Sequence, residues 1–92
     1  MKTFELSPIN GRKSFYRKAI VREENGETIL RSYDTDVCKI DINGNFVRMW
    51  NGYSATTMNH VNSFLNYVGI EGGGKKFWDD QPVIQWIINV KN

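Results

Sequence analysis

The chain has little cysteine, little histidine and no long hydrophobic run, and each shortage excludes a class of protein. One cysteine, Cys38, rules out an intramolecular disulfide, and one histidine, His60, adds too few ligands for a zinc-type site. No apolar stretch approaches the roughly 20 residues that a membrane helix needs. The N-terminus carries Glu5 and lacks the apolar centre of a secretory signal, so we expect a cytoplasmic protein that contacts no membrane.

Length and charge set further bounds. The 92 residues predict a single domain, residues 1–92, and the net charge of +2 is too small to indicate nucleic-acid binding by itself. The charge is unevenly placed, because residues 11–22 hold five cations and no anion. The sequence therefore predicts a local basic patch on a nearly neutral protein.

Turn signals divide the first half of the chain into strands. The dipeptide Asn-Gly, which favours type I′ hairpin turns, occurs at 10–11, 25–26, 43–44 and 51–52. Apolar, β-branched segments flank the second and third of these: residues 19–22 and 28–31, then 37–42 and 46–50. We predict two hairpins joined through a turn at residues 34–36, with Lys2–Leu6 as a further edge strand before Pro8.

Alternation predicts the face on which each side chain of the strand at residues 37–42 lies. Cys38, Ile40 and Ile42 share one face, and Val37, Lys39 and Asp41 share the other. We expect the first set to face the core.

A helix is predicted over about residues 54–68. Ser54 is a suitable N-cap, Met58, Val61 and Leu65 form one apolar stripe, and Gly69 is the expected left-handed residue after the last turn. One helix laid across a meander of four to five strands is an α+β fold.

The C-terminal part gives a weaker pattern. Residues 72–74 are three glycines, which predict a flexible break, and residues 75–80 are compatible with a helical turn. Residues 83–90 alternate as a strand does, although their spacing also fits a helix opened by Pro82. We favour the strand because β-branched and aromatic residues fill the segment.

Candidate catalytic residues are few, and each has a simpler structural explanation. His60 is the first candidate for acid–base chemistry, but no second histidine completes a site, so we interpret it as structural. Cys38 lies mid-strand in phase with Ile40, which predicts a small buried hydrophobe rather than a nucleophile. The Gly-Gly-Gly-Lys-Lys run at 72–76 lacks the spacing of a phosphate loop. We predict no cofactor, no metal and no enzymatic activity.

Two surfaces remain as binding candidates. Exposed-looking aromatic residues near strand ends, together with the hydroxyls and histidine at the helix start, predict a protein contact, since Tyr and Trp are enriched at such sites. That set comprises Tyr33, Trp50, Tyr53, Thr56, Thr57, His60 and Trp78. The basic segment is the alternative, a nucleic-acid contact in which cations follow phosphates; its residues are Arg12, Lys13, Arg17, Lys18 and Arg22.

Two blocks of the sequence carry a resemblance. Residues 30–37, Leu-Arg-Ser-Tyr-Asp-Thr-Asp-Val, and residues 52–57, Gly-Tyr-Ser-Ala-Thr-Thr, followed by His60, Val61, Asn62 and Phe64, are similar to short uncharacterised proteins of phages and integrative elements of Gram-positive bacteria. The resemblance spans about residues 30–69 and brings no known catalytic residues. It implies a small accessory protein of a mobile element.

We therefore expect non-enzymatic binding of a host protein, in its sharpest form the inhibition of a defence (CRISPR-type) nuclease. This last step is by analogy with the genomic setting. A nucleic-acid-binding accessory or regulatory protein is the alternative. Sequestration of a small nucleotide signal near residues 53–60 is a third hypothesis.

Overall fold

The Asn-Gly turns and the alternating apolar residues produce the strands that they predict. The computed structural model describes residues 2–8, 15 and 17–83, and within them it has five strands and two helices. The elements are β1 (Lys2–Glu5), β2 (Ala19–Glu24), β3 (Glu27–Ser32), β4 (Thr35–Ile40), β5 (Phe46–Arg48), α1 (Ala55–Val68) and α2 (Gly74–Asp80). The strands form one antiparallel sheet in sequence order, which confirms the predicted α+β meander.

The β2–β3 hairpin has the turn that its sequence predicts. Asn25 and Gly26 have φ of 55° and 82°, as a type I′ turn requires. The turn between β3 and β4 does not lie at residues 34–36, where the sequence predicts it. The turn lies at Tyr33 and Asp34, because Thr35 and Asp36 already belong to β4 and pair with β3. Tyr33 takes a φ of 56°, which is unusual for a bulky residue.

The β4–β5 turn differs from a two-residue type I′ turn. Gly44, with φ of 87°, donates its amide to the carbonyl oxygen of Asp41 at 2.9 Å, and the amide of Asp41 donates to Asn45 at 2.9 Å. The loop is therefore three residues long, with the glycine in its left-handed position. Ile42 falls in this loop and is 70 % exposed, so the prediction that it faces the core is wrong.

A β-bulge corrects the second prediction about β4. Leu30 pairs with Cys38, whereas Arg31 pairs with Asp36, so Val37 is an extra residue without a partner. The bulge turns Val37 to the same side as Cys38, and both side chains are fully buried. The prediction that Val37 faces away from the core is therefore wrong, and the prediction for Cys38 is confirmed.

Helix α1 has the predicted start and end. The Ser54 hydroxyl accepts the amide of Thr57 at 3.0 Å, and Gly69 ends the helix with a φ of 78°. The apolar stripe packs on the inner face of the sheet. The resulting core comprises Leu6, Ala19, Val21, Leu30, Val37, Cys38, Met58, Val61, Phe64, Leu65 and Trp78.

The three glycines form a packed connection between the helices. Gly72, Gly73 and Gly74 have φ of 143°, 112° and 80°, and the amide of Gly74 donates to Oδ1 of Asn62 at 3.0 Å. Helix α2 then places Phe77 against Phe46 of β5, with ring centroids 5.3 Å apart. Val83 makes one parallel bridge to Arg48. The rest of the segment for which strand and helix were weighed, residues 84–90, lies outside the described residues.

Candidate functional site

Three buried polar side chains tie the end of β3 to the start of α1. Nδ1 of His60 lies 2.8 Å from Oγ of Ser32, and that oxygen lies 3.1 Å from Oγ1 of Thr57. His60 is only 1 % exposed. Its ring packs edge-on against Phe15, with centroids 4.5 Å apart, and lies 5.8 Å from the ring of Tyr33.

The environment of His60 favours its neutral form. Burial lowers the pKa of the imidazole, and the nearby charge of Lys18 lowers it further. In the neutral ring Nδ1 can accept a hydrogen bond from the Ser32 hydroxyl or donate one to it, depending on the tautomer. Because Ser32 is itself buried, the trio holds two elements together rather than presenting a nucleophile to solvent. This agrees with the structural interpretation of His60.

Cys38 lies on the inner face of β4, away from solvent. Desolvation raises the pKa of its thiol well above the ordinary value, which disfavours the reactive thiolate. The expectation of a buried cysteine is thus confirmed.

Two exposed tyrosines flank the start of α1, and each lies beneath a lysine. Tyr33 is 48 % exposed with Nζ of Lys18 at 5.7 Å from its ring centroid. Tyr53 is 45 % exposed with Nζ of Lys75 at 5.4 Å. Thr56 is exposed on the first turn of the helix. We call these five residues the α1 N-terminal surface.

The remaining predicted contact residues lie beneath or beside this surface. Thr57 and His60 are buried under it, and Trp50 is half-buried. Trp78 is fully buried, so the expectation that it is exposed is wrong. Its ring lies 6.5 Å from that of Trp50, and its indole nitrogen donates to the carbonyl oxygen of Gly52 at 2.8 Å.

Arg48 is a residue whose importance sequence reasoning missed. Its buried guanidinium stacks on the indole of Trp78, with Cζ 4.4 Å from the ring centroid. Nε donates to the carbonyl oxygen of Trp50 at 2.8 Å, and Nη2 donates to that of Gly52 at 3.3 Å. Nη1 donates to the carbonyl oxygen of Trp78 at 2.8 Å. Arg48 therefore fixes the backbone that leads into Tyr53.

The alternation within β5 could have identified Arg48. Phe46, two residues earlier in β5, packs against the core, so alternation predicts that Arg48 lies on the same face. A buried arginine needs several acceptors, and here the carbonyl groups at the end of α2 and in the 50–52 segment supply them.

The basic segment is only partly described, since Arg12 and Lys13 lie outside the described residues. Arg22 forms two hydrogen bonds to the carboxylate of Asp36, at 2.9 and 2.8 Å, and one to Glu24 at 2.8 Å. The guanidinium lowers the pKa of Asp36 through these bonds. The charge of Arg22 is thus already neutralised, whereas Arg17 and Lys18 are exposed.

The described part of the chain contains neither a metal-ligand cluster nor a membrane-spanning helix. Residues 2–8, 15 and 17–83 contain no cluster of three or more acidic, histidine or cysteine side chains that could hold a metal ion. No helix among the same residues is long and apolar enough to cross a bilayer.

Comparison with known proteins identifies the family. A family of unknown function, DUF8033, matches residues 4–80, and the chain belongs to it. No curated protein and no solved structure matches the chain.

Proposed function

Within this family of unknown function, we propose that the protein binds a partner protein through the α1 N-terminal surface and catalyses no reaction. One observation supports this most directly: two half-exposed tyrosines, each under a lysine ammonium, flank the first turn of α1. Tyrosine rings bury a large area with few rotatable bonds, and they are enriched among residues that dominate binding energy.

Buried side chains hold the α1 N-terminal surface in place, which favours binding. The buried trio of Ser32, Thr57 and His60 fixes the strand end that carries Tyr33. Arg48 fixes the segment that carries Tyr53. Side chains already held in place lose less conformational entropy when a partner docks.

The charge of the α1 N-terminal surface indicates the chemistry of the partner. Lys18 is exposed beside the amide end of α1, whose first turn contains no acidic residue, whereas Lys75 is exposed but pairs with Asp79, with Nζ 2.6 Å from Oδ2. The helix dipole adds partial positive charge at the same end. We therefore propose that the partner presents an acidic patch, which would also accelerate association.

The resemblance to mobile-element proteins makes the proposal more specific. We propose that the partner is a host protein of the bacterial cell, with a defence nuclease as the sharpest candidate. An electropositive surface does not imitate the phosphates of DNA, so the inhibition we propose acts on an acidic region of the nuclease rather than on its nucleic-acid channel.

Affinity capture with the whole chain as bait, followed by titration of the purified partner, tests the proposal. Tyr53→Ala should weaken binding by about tenfold, because truncating a central aromatic contact costs about 1–2 kcal/mol. Tyr67→Ala is the matched control, since Tyr67 is also 45 % exposed but lies on the last turns of α1. Lys75→Glu should slow association and weaken its dependence on salt.

Two results would contradict the proposal. One is a Tyr53→Ala variant that folds normally and binds as tightly as the wild type. The other is tight binding of duplex DNA in which the logarithm of the affinity falls with the logarithm of the salt concentration at a slope of about −3.6. That slope is expected when about four phosphates are neutralised. That slope, removed by reversing the charges of Arg12, Lys13, Arg17 and Lys18, would favour the nucleic-acid alternative.

A further inference from the structure

The described part of the chain contains the dipeptide Asn-Gly at residues 25–26, 43–44 and 51–52, and each copy carries the groups for the same reaction. The amide nitrogen of the glycine can attack Cγ of the asparagine before it, since glycine has no side chain that hinders the approach. The attack needs a glycine amide that donates to no acceptor, and a peptide plane that can turn toward the asparagine side chain. The fold decides which copy meets both conditions. The fourth copy, residues 10–11, lies outside the described residues.

The hairpin loops protect two of these dipeptides. The amide of Gly44 donates to the carbonyl oxygen of Asp41 at 2.9 Å, so its nitrogen is already engaged. Asn25 and Gly26 have positive φ in the two-residue turn that joins β2 to β3. Turning the peptide plane between them would change the turn type and disturb the register of both strands. Neither dipeptide can react without opening its loop.

The peptide unit that joins Asn51 to Gly52 has a different setting. Asn51 is exposed, and neither its carbonyl oxygen nor the amide of Gly52 makes a hydrogen bond to another described residue. The units on either side are fixed. Nε of Arg48 donates to the carbonyl oxygen of Trp50 at 2.8 Å, and the indole nitrogen of Trp78 donates to that of Gly52 at 2.8 Å. One peptide unit without a described partner therefore lies between two anchored ones.

This peptide unit can rotate without moving its anchors. Rotation of ψ at Asn51, with an opposite rotation of φ at Gly52, turns one peptide plane and leaves the chain on both sides in place. Glycine tolerates φ values on either side of zero, which residues with a Cβ atom rarely do. The site also requires glycine for space, since a Cβ atom at this position would overlap the indole ring of Trp50. The rotation brings the Gly52 nitrogen to Cγ of Asn51.

We propose that Asn51 is a site of spontaneous intramolecular modification, at which the Gly52 nitrogen displaces the side-chain amide as ammonia. A bond forms between that nitrogen and Cγ of Asn51, and the bond from Cγ to the side-chain nitrogen breaks. The proton of the Gly52 amide leaves with the ammonia, and the product is a five-membered succinimide ring. Water then opens the ring at either carbonyl group, which leaves aspartate or isoaspartate at position 51.

Both products disturb the anchored segment. Aspartate adds a negative charge, and isoaspartate also lengthens the main chain by one carbon atom. The carbonyl oxygens of Trp50 and Gly52 both bond the guanidinium of Arg48, at 2.8 and 3.3 Å, so a longer chain between them cannot keep both bonds. The isoaspartate form should therefore unfold at a lower urea concentration than the unmodified protein, with a changed fluorescence of Trp50.

The test incubates the folded whole chain at neutral pH for several weeks and measures the deamidation of each peptide by mass spectrometry. In the folded protein, residues 51–52 should react about tenfold faster than residues 25–26 and 43–44, the ratio expected for a barrier lower by about 1.4 kcal/mol. In denaturant the three dipeptides should react at similar rates, because their reacting atoms are the same. The peptide that carries residues 10–11 is measured separately and enters no comparison.

Two variants connect the modification with its effect. Incubation should lower the urea midpoint of the wild type but not that of Asn51→Gln, whose longer side chain would have to form a six-membered ring. Asn43→Gln is the matched control, since Asn43 is also exposed, and it should age as the wild type does.

Residues 51–52 that react no faster than the two hairpin dipeptides in the folded chain would overturn the proposal. An incubated Asn51→Gln variant that loses as much stability as the wild type would overturn the effect on the Arg48 bonds. None of these measurements uses a partner protein, so their outcome is separate from that of the proposed protein contact.

Discussion

Replacing Arg48 tests whether one buried guanidinium organises the region around Tyr53. Its three nitrogen atoms bond the carbonyl oxygens of Trp50, Gly52 and Trp78, at 2.8, 3.3 and 2.8 Å. Arg48→Ala removes all of these donors and the stacking on Trp78. We expect a large loss of stability, together with a changed environment for Tyr53.

The magnitude follows from the contacts. A hydrogen bond to a charged group contributes about 1.5–3 kcal/mol, so three bonds set an upper limit of about 5–9 kcal/mol. Because water can reach part of the freed carbonyl groups, we expect a loss of about 3–5 kcal/mol. A domain of 92 residues has a total unfolding free energy of about 5–14 kcal/mol, so the variant will be only marginally stable.

Urea unfolding followed by tryptophan fluorescence measures this loss. With an m-value of about 1.2 kcal/mol per M, the midpoint should fall by roughly 2.5–4 M. Arg48→Lys should lose about 1–3 kcal/mol, because one ammonium cannot reproduce the planar fork. Arg31→Ala is the control, since Arg31 is exposed, and it should change stability by no more than about 0.5 kcal/mol. An Arg48→Ala variant within about 1 kcal/mol of the wild type would refute the reasoning.

Three further predictions concern other parts of the fold. Folding lowers the pKa of His60 below its ordinary 6.5, so the unfolded chain binds more protons than the folded one as the pH falls below about 6.5. The free energy of unfolding should therefore be highest above about pH 6.5. It should decrease by at most about 1.4 kcal/mol per pH unit as the pH drops toward and through the folded pKa. Urea midpoints that stay constant between about pH 6.5 and 5, or that vary equally in His60→Gln, would contradict this. Cys38 should resist a thiol reagent in the native protein and react at once in denaturant; rapid native labelling would show that it is accessible. Gly73→Ala should cost about 2–4 kcal/mol, because its Cβ would lie 2.6 Å from a neighbouring amide oxygen at a φ of 112°. Gly44→Ala should cost only about 1 kcal/mol, since its Cβ meets nothing within 4 Å, and equal losses would show that the clash is relieved.

Local signals in the sequence account for most of the architecture. The turn at Asn25-Gly26, the cap at Ser54 and the left-handed Gly69 all depend on residues within a few positions of one another. Such features can be predicted because the chemistry of the turn or cap is contained in a short stretch. The existence of the meander and of α1 followed from them.

The misplaced features depend on pairing between distant residues. The bulge that buries Val37 exists only because of how β3 and β4 pair, and alternation along β4 alone cannot reveal it. Alternation places Ile42 on the same face as Ile40, but β4 ends at Ile40 and Ile42 lies in an exposed three-residue loop. The position of Trp78 depends on Arg48, 30 residues earlier, so its burial follows from packing rather than from local pattern.

The candidate site shows the same limit. Tyr33 and Tyr53 could be singled out as aromatic residues near element ends, but the lysines above them come from other parts of the chain. The role of Ser32 beneath the surface depends on a contact with His60, 28 residues later. Sequence reasoning named Thr57 and His60 but missed Ser32 and Arg48, whose contacts join residues far apart in the chain.

Hydrogen exchange of the complex with the captured partner tests the proposed protein contact most directly. The account predicts slower exchange at residues 33–34 and 53–57, which carry the α1 N-terminal surface, with the outer face of the sheet unchanged. Slower exchange confined to β2–β4, with those two segments exchanging as fast as in the free protein, would contradict it.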